Sequence, residues 1–145
     1  MAIVAQSKYN RRGMRGWLYA GRYGPERYLY FLQRLSGLGL LLYLFLHLLL
    51  TATRIFGPTV WEGAMALVAG PLFKLGEYLV LAAFTFHGLN GLRLIIIELG
   101  WAIGQPSRQD YPYTTSVMRQ RPLVYLAMTL IAILLLVATI DFYLV

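Results

Sequence analysis

Three long runs of apolar residues dominate the pattern of hydrophobic and polar positions along this chain. Residues 35–53 are interrupted by only four Ser, Thr or His side chains, and residues 123–140 by only two threonines. Residues 72–99 carry charged side chains near both ends and none in the centre. At about 1.5 Å per residue, each helix would have the length needed to cross about 30 Å of hydrocarbon. The pattern predicts an all-α protein with three transmembrane helices, at about residues 30–56, 71–102 and 121–144.

Glycine and proline mark the two connections between these helices. Gly57-Pro58 and Gly70-Pro71 bracket the first connection, and a Gly-Gln-Pro sequence at residues 104–106 lies in the second. These residues therefore predict a loop in each connection. Within the first connection, residues 60–68 predict a short amphipathic helix.

Basic residues are distributed unevenly between the two sides of the predicted bundle. Seven lie at or before position 34, four near the second connection and two near the first. In that order they are Lys8, Arg11, Arg12, Arg15, Arg22, Arg27 and Arg34; Arg93, Arg108, Arg119 and Arg121; and Arg54 and Lys74. The positive-inside rule places the N-terminus and the second connection in the cytoplasm and the C-terminus outside.

Composition supports the membrane assignment. Hydrophobic residues make up 59% and charged residues 13% of the 145 positions, too apolar for a soluble domain of this size. The segment 1–29 is basic and aromatic but has no apolar core followed by a cleavage site. We therefore expect a retained cytoplasmic or interfacial arm, followed by a membrane domain at 30–145. The net charge of +7 is explained by membrane orientation, and no nucleic-acid partner is expected.

Two histidines, the only ones in the chain, lie in otherwise apolar stretches at positions 47 and 87. An imidazole away from water needs a partner, which can be a metal centre, a charge or another helix. Because the chain has no cysteine, iron–sulfur ligation and covalent haem attachment are excluded, and a redox centre here would be a non-covalent haem. The competing interpretation is that each histidine only hydrogen-bonds a neighbouring helix.

Polar residues share the helix face of His47. Ser36, Tyr43 and Thr51 stand eleven before, four before and four after it, so they lie on one side of the first helix. This spacing predicts that the face packs against protein rather than lipid.

The surroundings of His87 show a sharper pattern. Asn90 and Gly91 follow at three and four residues, where side chains share a face. With Gly88, Gly91 leaves room for a flat ring against the helix. Arg93 stands about 9 Å further along the axis, where its guanidinium could meet a haem propionate or a quinone head group.

Two motifs carry a family resemblance. Gln33-Arg34-Leu35-Ser36-Gly37 opens the first helix, and His87-Gly88-Leu89-Asn90-Gly91-Leu92-Arg93 runs towards Glu98. Over residues 27–102 the chain thereby resembles the cytochrome b membrane-anchor subunit of succinate dehydrogenase. It departs from the family pattern where Gln33 and Leu94 replace histidines.

The resemblance implies roles for individual residues. His87 would be an axial ligand of haem b, and Arg34, Ser36 and Arg93 would lie near the haem propionates or the quinone. Tyr30 occupies the place of a serine that touches quinone in some relatives, and its phenol could serve instead.

His47 resembles the ligand that helix I supplies to a second, distal haem b in two-haem members of the family. It lies about 20 Å along the helix from Arg34, whereas His87 lies about 9 Å from Arg93. If both arginines mark the cytoplasmic edge, the two imidazoles differ in depth by about 10 Å, so each would need a second ligand from another chain.

The resemblance further implies a succinate:quinone oxidoreductase (respiratory complex II) in a bacterial or archaeal cytoplasmic membrane. Its flavoprotein and iron–sulfur subunits perform the succinate chemistry, and a second membrane anchor completes the haem site. This chain would pass electrons to quinone without acting on succinate itself. Alternatives are the same role in a menaquinol:fumarate reductase, a haem-free anchor, and a proton or metal transporter; the last lacks an intramembrane carboxylate near the histidines.

Overall fold

The computed structural model describes residues 24–102 and 116–144, which are helical and contain no strand. The elements are α1 (Pro25–Ala52), a 3-10 helix (Thr53–Phe56), α2 (Pro58–Val68), α3 (Pro71–Glu98), α4 (Ser116–Arg119) and α5 (Arg121–Tyr143). Three helical segments, Pro25–Phe56, Pro71–Glu98 and Arg121–Tyr143, are long and apolar enough to cross a membrane. The predicted all-α class with three transmembrane helices is confirmed, as is the short helix in the first connection.

Gly-Pro pairs begin three of the helices. Pro25, Pro58 and Pro71 each open a helix directly after a glycine, where the missing N–H would have no intrahelical partner in any case. Gly24 and Gly57 have φ angles of 80° and 97°, which side chains with a Cβ rarely adopt. The first helix therefore begins five residues before the predicted position 30, and residues 25–29 of the predicted arm belong to α1. Residues 1–23 of that arm lie outside the described residues.

Helix α3 ends earlier than predicted because its C-terminus forms a Schellman motif. Gly100 has a φ of 82°, its N–H donates to the Ile97 carbonyl, and the Trp101 N–H donates to the Ile96 carbonyl. These bonds satisfy the last carbonyls and turn the chain out of the helix. The helix thus stops at Glu98, four residues short of the predicted position 102.

Helix α3 lies between α1 and α5 and packs against both. Hydrogen bonds join α3 to α5 near both ends of α3: the Tyr78 hydroxyl is 2.7 Å from Thr139 Oγ1, and Arg93 Nη1 donates to Gln120 Oε1 at 2.9 Å. Apolar side chains buried in the described part of the chain come from α1 and α5, and they are Leu29, Val124, Ala127 and Ile131. The start of α1, the end of α3 and the start of α5 consequently lie at one end of the bundle.

Large apolar side chains cover the outside of the helices. On α1 these include Leu38, Leu41, Leu42, Phe45 and Leu49, each more than half exposed. Water would penalise such a surface, whereas lipid chains or other membrane helices would not. The outer surface therefore agrees with a membrane environment.

Candidate functional site

Polar side chains converge between α1 and α3, one to two turns inside the end where Arg93 and Gln120 meet. His87 Nδ1 lies 3.1 Å from the Gln33 main-chain oxygen and 3.2 Å from Ser36 Oγ. In the opposite direction, Gln33 Nε2 donates to the His87 main-chain oxygen at 3.2 Å. Gln33 therefore contacts both the ring and the backbone of His87.

The hydrogen bond to the Gln33 carbonyl fixes the tautomer of the His87 ring. A main-chain oxygen can only accept a hydrogen bond, so a 3.1 Å contact with Nδ1 requires a proton on Nδ1. Ser36 Oγ donates to the same carbonyl at 3.1 Å and can accept from Nδ1 with a lone pair. In the neutral imidazole the lone pair then lies on Nε2, which forms no hydrogen bond within the described part of the chain. Metal-binding histidines commonly have this arrangement.

Gly37 provides the surface on which the ring lies. A Cβ at this position would stand 2.9 Å from His87 Cε1 and 3.4 Å from Nδ1, and the first distance is shorter than real Cβ contacts allow. The close approach of α1 to the half-buried ring therefore requires glycine. Of the two glycines predicted to make room on α3, a Cβ added at Gly91 would lie 3.4 Å from Gln33 Nε2, whereas a Cβ added at Gly88 would meet no atom of the described residues within 4 Å.

A chain of side-chain hydrogen bonds continues from Gln33 to the start of α5. Asn90 Nδ2 donates to Gln33 Oε1 at 2.8 Å, and Arg93 Nε donates to Asn90 Oδ1 at 2.9 Å. Arg93 Nη1 then donates to Gln120 Oε1. The chain connects all three long helices, and Asn90 within it is wholly buried.

Arg93 is buried and forms hydrogen bonds to side-chain amides of this chain. It is only 6% exposed, and its Nε and Nη1 atoms point at neutral amide oxygens of Asn90 and Gln120. The buried guanidinium can therefore fix the orientation of the two side-chain amides to which it donates.

Arg34 and Tyr30 form a separate, exposed pair on α1. Arg34 Nη1 donates to the Tyr30 hydroxyl at 2.7 Å, and its guanidinium carbon lies 5.4 Å from the Tyr30 ring centroid. Neither residue takes part in the hydrogen-bond chain around His87. Of the predicted site residues, the structure therefore joins Ser36, His87 and Arg93 through Gln33, and keeps Arg34 and Tyr30 together on the surface.

His47 lies apart from this cluster. It follows Gly37 by ten residues, about 15 Å along α1, and its ring is 5.6 Å from the Tyr43 ring. Both residues are exposed. The polar face predicted to pack against protein therefore contacts α3 at Ser36, whereas at Tyr43 and His47 the described part of the chain leaves it uncovered.

An ion pair joins the starts of α1 and α5 at the same end of the bundle. Arg121 Nε lies 2.8 Å from Glu26 Oε1, with the two side chains 35% and 15% exposed. The second oxygen, Glu26 Oε2, is buried without a hydrogen-bond partner. A Cβ at position 24 would lie 2.5 Å from it, so glycine suits this position for steric reasons as well.

Replacing Glu26 with alanine should lower the free energy of unfolding modestly, because it removes the ion pair that joins the starts of α1 and α5 while the exposed side of Arg121 is screened by solvent. The midpoint of thermal unfolding of the solubilised protein measures this loss. Glu62→Ala, which removes an exposed carboxylate on α2, is the matched control and should change the midpoint little. Equal midpoints for the two variants would contradict a structural role for the pair.

Sequence reasoning recognised His87 and Ser36 but missed the contributions of Gln33 and Gln120. Gln33 was noted only as a departure from a family motif, although it stands three residues before Ser36 and so shares its helix face. That spacing was an available signal. The sequence contained no comparable signal for Gln120, because its contact with Arg93 depends on how α5 packs against α3.

Comparison with known proteins agrees with a membrane-spanning architecture. The family described as succinate dehydrogenase/fumarate reductase transmembrane subunit matches residues 9–138. Succinate dehydrogenase 2 membrane subunit SdhC of Mycobacterium tuberculosis is 34% identical over 87 residues, which are 60% of this chain and 62% of that protein. The similarity thus spans less than two thirds of the mycobacterial relative.

Proposed function

The chain belongs to the succinate dehydrogenase/fumarate reductase transmembrane subunit family, and we propose that it is the cytochrome b anchor of a succinate:quinone oxidoreductase. In this role it holds haem b and forms part of the quinone site, so that electrons from succinate reach the quinone pool. The observation that carries the proposal is the bond from His87 Nδ1 to the Gln33 carbonyl, which leaves Nε2 with a lone pair.

The residues around His87 fit a haem held by one axial ligand from this chain. His87 Nε2 supplies the ligand, the Gln33 carbonyl and Ser36 orient the imidazole, and Gly37 keeps the ring against α1. When bound, haem supplies one-electron transfer, with a potential influenced by axial ligation, burial and nearby hydrogen bonds. A second ligand for the haem iron would have to come from another chain, because His47 lies about 15 Å away along α1.

His47 is proposed as the axial ligand of a second haem b. Its exposed position beside Tyr43 supports a site shared with a neighbouring chain, since an imidazole facing lipid alone would lack a polar partner. Its distance along α1 from the His87 cluster supports two separate haems rather than one held from both sides.

Arg34 and Tyr30 are proposed to contact the quinone or a haem propionate. Both are exposed, and the guanidinium and phenol lie within hydrogen-bond distance of each other. A guanidinium suits a carboxylate, and a phenol suits a quinone oxygen. Arg93 is proposed to lie near the same groups, since its Nε and Nη1 bonds to Asn90 and Gln120 account for only two of the five N–H donors of a guanidinium.

The proposed partners are a second membrane anchor, an iron–sulfur subunit and a flavoprotein subunit, assembled on a bacterial or archaeal cytoplasmic membrane. The two-histidine composition supports a second anchor, since two haems with two axial ligands each need four. The family name also includes fumarate reductase, in which the same site would accept electrons from menaquinol.

A haem-free anchor is the second candidate, favoured by the observation that His87 already joins α1 to α3 through hydrogen bonds. The haem content of the purified complex, measured by the pyridine haemochrome method, separates the two functions. We expect two haems b per complex for the wild type and one for His47→Gln. A wild-type complex without haem would overturn the proposed function, and a content unchanged by His47→Gln would leave His47 with a packing role only.

A further inference from the structure

Three residues form a directed series of hydrogen bonds that ends on His87: Arg93, Asn90 and Gln33. We propose that Arg93 is a positioning residue which, through Asn90, orients the side-chain amide of Gln33, and that Gln33 in turn holds His87. We call the series Arg93–Asn90–Gln33 the amide relay. The relay stands on contacts within this chain, whereas its effect on a bound haem rests on the function proposed above.

The direction of the relay originates at Arg93. A guanidinium has only donors, so the 2.9 Å contact between Arg93 Nε and the Asn90 side chain requires the amide oxygen of Asn90 at that position. The amide nitrogen of Asn90 must then point the other way. Gln120 Oε1 accepts from Arg93 Nη1 at 2.9 Å, which ties the relay to the residue directly before α5.

Asn90 transmits this orientation to Gln33. Its Nδ2 donates to Gln33 Oε1 at 2.8 Å, so the oxygen of the Gln33 amide is directed at Asn90 and the NH₂ group at His87. Asn90 has no exposed surface, and reversal of its amide would place donor against donor at Arg93. In a buried site such a mismatch would leave both donors without an acceptor, so a single orientation is retained.

Gln33 then holds His87 with two bonds of opposite direction. Its side-chain Nε2 donates to the His87 main-chain oxygen at 3.2 Å, and its main-chain oxygen accepts from Nδ1 at 3.1 Å. Together the bonds keep the backbones of α1 and α3 in register at the ring, which maintains the Nδ1–H tautomer. Turning the Gln33 amide would place its oxygen against the His87 carbonyl and break the first bond.

Asn90→Asp tests the relay because it preserves size and strengthens the contact with Arg93 while removing the donor to Gln33. The aspartate can only accept, so Gln33 must turn its NH₂ group towards it and away from the His87 carbonyl. A role limited to packing or to pairing with Arg93 predicts no effect on His87. Gln33→Glu is the second variant, since it keeps the acceptor for Asn90 and loses the donor to His87.

The first measurement does not depend on haem. In the assembled complex freed of haem, with ¹⁵N-histidine in this chain alone, His87 of the wild type should show one neutral tautomer, protonated at Nδ1; His47→Gln assigns the signals. Asn90→Asp and Gln33→Glu should each produce a second set of His87 signals. Thr139→Val, which removes a hydrogen bond between α3 and α5 at the other end of α3, is the control and should retain one set.

The second measurement is the affinity for haem of the same variants. Loss of a group that orients a metal-binding histidine typically lowers metal affinity about 10–100-fold, and we expect this range for Asn90→Asp and Gln33→Glu. Wild-type His87 signals in both variants would overturn the relay while leaving the proposed function intact. Absence of haem from the wild type, with the histidine signals changing as expected, would overturn the proposed function and leave the relay intact.

Discussion

Replacement of His87 with alanine is expected to remove one b-type band from the reduced-minus-oxidised spectrum of the purified complex. His87 offers Nε2 as a free ligand atom because Nδ1 is engaged by the Gln33 carbonyl. Only one other histidine exists in the chain, and it lies about ten residues along α1 from the site. No second imidazole of this chain can therefore take its place.

Two companion measurements separate loss of a ligand from general damage. Adding free imidazole to the His87→Ala complex should restore part of the band, since the small ligand can enter the vacated space. Thr139→Val is the control, because it removes a hydrogen bond between α3 and α5 at the other end of α3; the band should persist. An unchanged spectrum in His87→Ala would rule out His87 as a haem ligand.

Replacement of Gly37 with alanine is expected to lower both stability and haem content. The new Cβ would stand 2.9 Å from His87 Cε1, so the ring must move away from α1. Alanine gains about 1 kcal/mol over glycine in a helix. Overpacking costs about 1–3 kcal/mol, and weakening the bond to the Gln33 carbonyl adds about 0.5–1.5 kcal/mol. Because the two unfavourable contributions together exceed the gain in helix propensity, we expect Gly37→Ala to lower the free energy of unfolding.

Gly39→Ala provides the control for this prediction. It lies on the same helix two residues further on, and no atom of the described chain lies within 4 Å of the added Cβ position. The variant should keep its haem and unfold at the wild-type temperature or slightly above. Thermal unfolding and the haem-to-protein ratio measure both variants together. Similar behaviour of Gly37→Ala and Gly39→Ala would contradict the close contact with the ring.

The fold was largely predictable because membrane-spanning helices are local features. Apolar runs of sufficient length predicted α1, α3 and α5, since a segment in hydrocarbon must satisfy its backbone hydrogen bonds internally. The helix ends were predicted less accurately where the backbone conformation of a glycine or proline determines them. Gly24-Pro25 began α1 early, and the left-handed conformation of Gly100 ended α3 at Glu98.

The candidate site was predictable only in part. His87 and Ser36 were recognised from motif and spacing, and the structure brings them within 3.2 Å of each other. Arg93 was recognised as a polar group near His87, but its engagement with Asn90 and Gln120 depends on contacts among three helices. The roles towards haem and quinone stay predictions for all of the site residues, because they concern groups outside this chain; these residues are His87, His47, Arg34, Ser36, Arg93 and Tyr30.

The sequence by itself determined the number of membrane helices, the class of protein and the residue types available for a redox site. The lengths of the apolar runs and the positions of glycine, proline and histidine are properties of the sequence alone, so these predictions required no knowledge of long-range contacts. Only the tertiary structure decided that Gln33 holds His87, which ring nitrogen is left free, and where the Arg93 donors point. Hydrogen-bond direction depends on which donor faces which acceptor across packed helices, and residues up to 95 positions apart meet only after α1, α3 and α5 have packed.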